Sequence, residues 1–155
     1  MSTPVQTDKL EAFRQFMRAH AAITHRLDAD LVSTFGLTLH DYEVLYHLSI
    51  QPGGRLRPSE LTDRVMLTRS GVTRLLAGLE EAGFVSRHSC QLDRRVIYAV
   101  LTDEGRAKYH EVRPTALSGV NELFVDRYED DELDRLGELL TRLPGCEIDT
   151  PCDVD

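Results

Sequence analysis

Two short stretches of the sequence carry side chains suited to hydrogen bonding with nucleic acid. The first stretch supplies three hydroxyls and two guanidiniums, on Thr68, Arg69, Ser70, Thr73 and Arg74. The second is Asp93-Arg94-Arg95, in which a carboxylate precedes two adjacent arginines. Arginine can pair bidentately with guanine in a major groove, and hydroxyls adapt to bases or phosphates. An arginine on a thin hairpin can also reach a narrow minor groove, so both stretches are candidate DNA contacts.

The first stretch is predicted to open the second helix of a helix-turn-helix. Pro58 suits the first position of a short helix, and Thr68 can cap a second helix after a break at Met66-Leu67. Gly83 ends that second helix by permitting a left-handed backbone. Between these ends, apolar residues at i, i+3, i+4 and i+7 form one stripe, made of Val72, Leu75, Leu76 and Leu79. The polar side chains then lie away from the stripe, near the helix start.

The second stretch is predicted to lie at the tip of a β-hairpin. Phe84-Val85 opens one strand, and residues 96–101 form a β-branched and aromatic second strand. The tip between them, residues 89–95, carries the two adjacent arginines. A helix-turn-helix followed by such a wing is a winged helix, whose parts are useful together only on a duplex. For the helix alone, a solvated face with two arginines explains the sequence equally well.

This segment resembles the MarR family of bacterial transcription regulators. The resemblance rests on Leu61, residues 72–75, residues 79–85, Arg87, residues 93–95 and residues 101–105. It implies that Asp93 helps to orient arginines and that Arg95 enters the minor groove. It also assigns base reading to the helix residues Thr68, Arg69, Ser70, Thr73 and Arg74. Arg57 departs from the family pattern, which more often has a capping Thr or Ser there; Arg57 cannot cap, although it is placed to touch a phosphate.

The expected fold class is mainly α with a small β-wing (α+β), in a single MarR-like domain over residues 1–155. Residues 38–101 form the winged helix-turn-helix DNA-binding lobe. Residues 8–36 and 102–144 form a helical dimerisation lobe, and residues 145–155 are an acidic tail. The apolar stripes of the terminal helices exceed what a small winged helix can cover, which agrees with the homodimer that the resemblance implies.

Local signals mark the elements around the winged helix. A first helix is expected from Asp8 to about Phe35, and Thr38 with Asp41 resembles a capping box. Residues 52–54 read as a plain turn. A long helix capped by Thr102 is expected to reach Phe124, with a kink near residues 110–114 where Pro114 interrupts it. A leucine-rich last helix follows the acidic run at residues 129–132 and stops at residues 144–145.

Charge and composition agree with a DNA-binding interpretation. The net charge is −8, but residues 55–106 hold nine Arg against seven acidic residues, whereas residues 107–155 hold thirteen acidic residues against five basic ones. A basic reading surface on an acidic body still orients toward phosphate at close range. No apolar stretch is long enough to span a bilayer and no signal-peptide pattern is present, so a cytoplasmic location is expected. Three cysteines in an odd, scattered arrangement do not suggest a disulfide framework.

The expected function is sequence-specific binding of double-stranded DNA. The protein would be a transcription regulator, in the family pattern a repressor that binds an inverted-repeat operator as a homodimer and is released by a small effector. The resemblance implies a small aromatic or phenolic ligand, and the candidate pocket residues are Arg14, His40, Tyr42 and Tyr46. For either tyrosine, a place in the core with a satisfied hydroxyl explains the sequence somewhat better than a ligand contact does. The alternative function is a winged-helix module that binds proteins instead of DNA.

No pattern in the sequence indicates catalysis, a cofactor or a metal site. A nucleophile elbow, a P-loop, a dinucleotide fingerprint and paired catalytic carboxylates are all absent from the sequence, so an enzymatic role has no candidate residues. The six histidines and three cysteines show no common zinc-ligand spacing, and we expect no metal. The reactive first-helix cysteine of thiol-sensing family members is also missing.

Overall fold

The computed structural model describes residues 9–146. Helices and short strands alternate along them in the following order: α1 Lys9–Phe35, α2 Leu39–Ser49, β1 Arg55–Leu56, α3 Pro58–Arg64, α4 Arg69–Glu81, β2 Val85–Ser89, β3 Ile97–Leu101, α5 Asp103–Leu123 and α6 Asp130–Leu140. Two 3-10 turns, Pro52–Gly54 and Val125–Arg127, lie between these elements. The chain divides into two compact units, and the boundary falls inside α5 between Leu117 and Ser118.

The strands form one small antiparallel sheet in the order β1-β3-β2. In β2 and β3 Val85 is opposite Leu101 and Ser89 is opposite Ile97, so residues 90–96 form the hairpin tip. The predicted fold class, mainly α with a small β-wing, is confirmed. The plain turn predicted at residues 52–54 was an incomplete description, because β1 follows it and pairs Arg55 with Val100. A two-residue strand is too short to leave a periodic signal in the sequence.

The core of the first unit is built from the end of α1, the apolar stripes of α2, α3 and α4, the inner face of the sheet and the first two thirds of α5. Its fully buried members include Val44, Leu45, Leu48, Leu61, Val72, Leu76, Leu79, Ala99 and Val112. Gly105 allows the start of α5 to approach the connection between α4 and β2 closely. A Cβ on this residue would lie 2.0 Å from the Phe84 carbonyl oxygen, so only glycine fits there.

The predicted helix signals are mostly confirmed. The Thr38 hydroxyl accepts the Asp41 N–H at 3.1 Å, and the Asp41 carboxylate accepts the Thr38 N–H at 2.8 Å, which completes the capping box. Thr102 caps α5 by accepting the Gly105 N–H at 2.9 Å. Gly36 and Gly83 have φ values of 69° and 80°, as expected where helices end.

Two expectations for the last helices were wrong in detail. Helix α5 continues through Pro114, which lies at an exposed position, and ends at Leu123 instead of Phe124. The kink near residues 110–114 stays a prediction. The last helix ends at Leu140, one turn before the predicted stop at residues 144–145. The predicted start of α1 at Asp8 and most of the acidic tail lie outside the described residues. Among residues 9–146, no helix is long and apolar enough to cross a membrane.

Candidate nucleic-acid interface

The five polar residues predicted on the second helix of the helix-turn-helix lie on one open concave surface. This recognition surface is lined by Thr68, Arg69, Ser70, Thr73 and Arg74, together with Ala77. The opposite face of α4 is anchored in the core, where Val72, Leu76 and Leu79 are each 1% exposed. The helix therefore presents its polar end from a fixed position, as a major-groove reader requires.

Hydrogen bonds at the start of α4 give the three hydroxyls different roles. The Thr68 hydroxyl accepts the Gly71 N–H at 3.1 Å and so caps the helix. The Ser70 hydroxyl lies 3.2 Å from that of Thr68, and the Thr73 hydroxyl donates to the Arg69 carbonyl at 2.9 Å. The proton of Thr73 is thus engaged, whereas its oxygen lone pairs can still accept a bond from a base or a water.

The two guanidiniums of the recognition surface are available for a ligand. Arg69 and Arg74 are both exposed, and neither takes part in an ion pair with another residue of the described range 9–146. The first turn of α4 contains no acidic residue. Because nothing local neutralises them, these arginines are the strongest candidates on the surface for guanine or phosphate.

The wing tip is a closed turn that holds one of its arginines in place. The Cys90 N–H donates to the Val96 carbonyl at 2.8 Å, and the Val96 N–H donates to the Asp93 carbonyl at 3.0 Å. The Asp93 carboxylate accepts the Arg95 backbone N–H at 3.0 Å and its Nε–H at 3.2 Å. The Arg95 side chain is nevertheless 91% exposed, so Asp93 orients it without hiding it. Arg94 is also exposed.

Two features of the wing were not singled out from the sequence as parts of the site. Arg87 Nε lies 2.6 Å from a Glu80 carboxylate oxygen, an ion pair that joins β2 to α4 and so ties the wing to the recognition helix. Leu92 at the tip is 98% exposed. The sequence offers no signal for the Arg87 pair, because its members are on different elements.

The candidate effector residues fall into separate places in the structure. Tyr42 of α2 stacks on Tyr109 of α5 with ring centroids 5.8 Å apart, and Tyr46 lies 6.4 Å from the same ring. Burial, followed by the charge of the neighbouring Tyr109, raises the pKa of Tyr42 to about 12. Tyr109 was not predicted as part of this aromatic cluster, which we define as Tyr42, Tyr46 and Tyr109.

The other two candidates are not part of that cluster's ring contacts. His40 pairs with Glu43 through an Nδ1 to carboxylate distance of 2.9 Å and lines a cavity between α1, α2 and the end of α3. Arg14 forms an ion pair with Glu11 of α1 at 3.2 Å. Within residues 9–146, no group of three or more His, Cys, Asp or Glu side chains could hold a metal ion.

Cys90 is a free thiol at the wing tip. Hydrogen bonds from the backbone at Asp93 and then Leu92 lower the pKa of this thiol. They favour the thiolate because an N–H donor stabilises negative charge on sulfur.

Comparison with known proteins agrees with this geometry. The MarR family model matches residues 35–96. The transcriptional repressor YetL of Bacillus subtilis is 36% identical over 111 residues, which cover 70% of this chain and 66% of YetL. The MarR family regulator AbsC of Streptomyces coelicolor is 32% identical, with a TM-score of 0.82 over 92% of this chain and 95% of AbsC.

Two further solved structures show what family members bind. Sco3205 of Streptomyces coelicolor, crystallised with DNA, is 29% identical, with a TM-score of 0.83 over 89% of this chain and 90% of that one. The Mycobacterium tuberculosis protein Rv2887, crystallised with p-aminosalicylic acid, is 26% identical, with a TM-score of 0.65 over 83% of this chain and 95% of that one.

The fold and these relatives define a winged helix-turn-helix transcription regulator. The chain belongs to the MarR family. Family and relatives are regulators of transcription and not enzymes.

Proposed function

We propose that this protein is a sequence-specific repressor that binds an inverted-repeat operator as a homodimer. The observation that carries the proposal is the recognition surface, where two exposed arginines without ion pairs stand beside hydroxyls on a helix anchored in the core. The repressor assignment is supported by the likeness to YetL, and DNA binding by the likeness to Sco3205.

Each part of the site has a distinct role in the proposed complex. Arg69 and Arg74 donate to guanine O6 and N7 in the major groove, and Ser70 and Thr73 supply adaptable contacts. Thr68 holds the start of the helix. Arg95, oriented by Asp93, enters the minor groove that adjoins the major groove occupied by α4. A narrow minor groove has an enhanced negative potential, which attracts this guanidinium. Arg94 adds a second positive charge at the wing tip.

The homodimer is supported by apolar side chains that a single chain leaves exposed. Phe13, Phe16 and Met17 of α1 are 61%, 44% and 47% exposed. No residue of α6 is buried, although the helix is strongly amphipathic. Large apolar surface of this kind favours association. A two-fold dimer presents two recognition helices, so the half-site centres should lie about 10 bp apart.

A mobility-shift assay on the DNA upstream of the protein's own gene tests the proposal. We expect a shifted complex that survives excess unrelated duplex, and a double variant Arg69→Ala/Arg74→Ala that no longer forms it. Equal affinity for every duplex would contradict sequence specificity. Absence of any complex would favour the second candidate function, a winged-helix module that binds proteins.

We further propose that a small phenolic acid regulates the protein at the aromatic cluster. Tyr42, Tyr46 and Tyr109 offer ring faces and hydroxyls to such a ligand. His40 lines a separate cavity and Arg14 pairs with Glu11, so neither is part of this proposed site. The ligand p-aminosalicylic acid of Rv2887 has this chemistry. A ligand can release DNA only by binding more tightly to an arrangement that misaligns the recognition helices.

Titration of salicylate or p-aminosalicylate into the protein–DNA complex tests this effector site. We expect operator affinity to fall, and Tyr46→Ala to blunt the response while operator affinity without ligand stays unchanged. A response that survives Tyr46→Ala intact, or no response to any phenolic acid, would remove the assignment. The proposed repressor function involves no catalytic step. It requires access to the chromosome, so we propose that the protein acts in the cytoplasm.

A further inference from the structure

The outer face of the wing sheet carries a second group of arginines, outside the recognition surface. Arg55 of β1 and Arg57, which directly follows this strand, are both exposed, whereas Leu56 between them is 4% exposed and points into the core. Residues two apart on an extended chain share a face. Both guanidiniums therefore project from the solvent side of the sheet.

The two guanidiniums converge on one aromatic ring. The guanidinium carbon of Arg55 lies 5.1 Å from the centroid of the Tyr98 ring, and that of Arg57 lies 6.0 Å from the same centroid. Tyr98 belongs to β3 and faces His88 of β2 in the sheet register. A ring face attracts each cation and restricts its movement, so the side chains are held ready before any ligand arrives.

This arrangement brings two like charges together without a neutralising carboxylate. Neither Arg55 nor Arg57 takes part in an ion pair within the described part of the chain, unlike Arg87 and Arg95 of the same sheet and tip. Glu60 is the nearby acid, and its carboxylate accepts the backbone N–H of Arg57 at 2.7 Å. Two cations beside one ring repel each other, and an anion that contacts both offsets that repulsion.

We propose that Arg55 and Arg57, positioned by Tyr98, grip one phosphate of the operator backbone at the base of the wing. The proposal rests on the proposed DNA-binding function. Guanidiniums match phosphate oxygens with paired N–H donors, and a phosphate carries the charge that the pair lacks. Arg55 and Tyr98 also line a concave surface with His88, to which Arg57 does not contribute, and this surface leaves room for an oxyanion beside Arg55.

The place of the pair in the fold favours DNA over a free anion. Arg57 immediately precedes α3, the first helix of the helix-turn-helix, and Tyr98 lies on the strand that supports the wing tip. The pair therefore lies between the first helix of the helix-turn-helix and the wing, and a phosphate contact there would fix the position of both on the DNA backbone. Such a contact adds affinity on every sequence and carries no base specificity.

The test is a salt titration of DNA affinity for the double variant Arg55→Ala/Arg57→Ala. We expect affinity to fall about tenfold, equally on the operator and on an unrelated duplex. We also expect the slope of log affinity against log salt to become shallower by about two, because the proposed homodimer loses one phosphate contact in each protomer. Arg142→Ala, which removes an exposed arginine from the other unit, is the matched control and should change neither quantity.

A second variant separates phosphate binding from a structural role. Arg55→Lys/Arg57→Lys keeps both charges, so it should restore the salt slope and part of the affinity. If the alanine variant instead lowers affinity only for the operator and keeps the wild-type slope, the arginines merely position the wing and the proposal is wrong.

Two further outcomes would overturn it in different ways. Unchanged DNA affinity together with loss of inorganic phosphate binding, measured by NMR titration, would make the pair a free-anion site. Failure of the wild-type protein to bind any duplex would refute the proposed function itself. This outcome is distinguishable from failure of the phosphate proposal, because it is seen with the unaltered protein.

Discussion

Helices α4 and α6 have the same kind of apolar spacing and opposite surroundings. In α4 the stripe residues Val72, Leu76 and Leu79 are each 1% exposed, because α2, α3 and the sheet cover them. In α6 the leucines recur at i, i+3, i+6 and i+7, yet none is buried and Leu139 is 39% exposed. Periodicity therefore reveals that a helix has an apolar face, but not which surface covers it.

The two helices also begin with opposite charge. The first turn of α4 has no acidic residue and starts with Arg69, whereas the first turn of α6 contains Asp130, Asp131 and Glu132. Carboxylates suit the positive end of a helix dipole, but they repel a phosphate backbone. Of the two helices, α4 is therefore the one suited to present its N-terminal end to DNA, and the incompletely buried leucines of α6 suit a second copy of the chain.

The largest effect should come from placing a charge on the α6 stripe. Leu136→Asp should dissociate the proposed dimer, since burying an unpaired carboxylate costs several kcal/mol, and operator binding should be lost with it. Analytical ultracentrifugation measures the change. Glu138→Ala, on the charged face of the same helix, is the control and should remain dimeric. A Leu136→Asp protein that stays dimeric would place the interface elsewhere.

A core truncation in α4 should have a different signature. Leu76→Ala leaves a cavity at a position that is 1% exposed, and it should lower the free energy of unfolding by about 2–5 kcal/mol. Chemical denaturation followed by circular dichroism checks this value. Truncation of Leu139 to Ala should lower stability mainly through the dimer, so its effect should depend on protein concentration. If the loss of stability depended on protein concentration equally in both variants, the proposed difference between α4, covered within one chain, and α6, covered by a second chain, would be wrong.

The wing arginine should matter for binding and not for folding. Arg95→Ala should weaken operator binding by about 1–3 kcal/mol, comparable to loss of a base contact, while the melting temperature stays nearly constant. The reason is that its side chain is 91% exposed and touches only Asp93 within the wing. Fluorescence anisotropy and thermal melts measure the two quantities. Unchanged affinity, or a protein that unfolds, would take Arg95 off the DNA-binding surface.

Arg74 should act on sequence preference more than on affinity. Arg74→Ala should relax the preferred base at one position of each half-site, lowering discrimination there about tenfold, because a bidentate guanine contact is lost. Binding to a set of operator variants with single substitutions checks this result. A uniform loss on every sequence with a shallower salt slope would reassign Arg74 to a phosphate.

Much of the fold followed from local signals in the sequence. The Thr38 and Thr102 caps, the α4 stripe and Gly83 act within a few residues, so their consequences can be predicted without knowing the tertiary structure. The five residues of the recognition surface share one helix end, and helix geometry alone brings them together.

What could not be predicted depends on contacts between distant parts of the chain. The pairing of β1 with β3, the Arg87–Glu80 ion pair and the placement of Tyr109 against Tyr42 each join separate elements. The prediction of the candidate effector residues rested on their places in the expected helices and on the family resemblance, neither of which fixes the direction of a side chain. The structure brings Tyr42 and Tyr46 to the same ring, that of Tyr109, and places His40 at a cavity that these tyrosines do not line.

The smallest effect should separate two roles of Thr68. Its hydroxyl accepts the Gly71 N–H at 3.1 Å, whereas the corresponding residue of α6, Glu129, makes no such side-chain cap bond. Thr68→Ala should therefore lower the free energy of unfolding by about 1 kcal/mol, and Thr68→Ser, which keeps the acceptor, should restore it. Operator affinity should change little when it is measured well below the melting temperature, because a capping oxygen is already engaged. If Thr68→Ala weakens operator binding strongly while stability is unchanged, Thr68 contacts DNA directly and the cap is of minor importance.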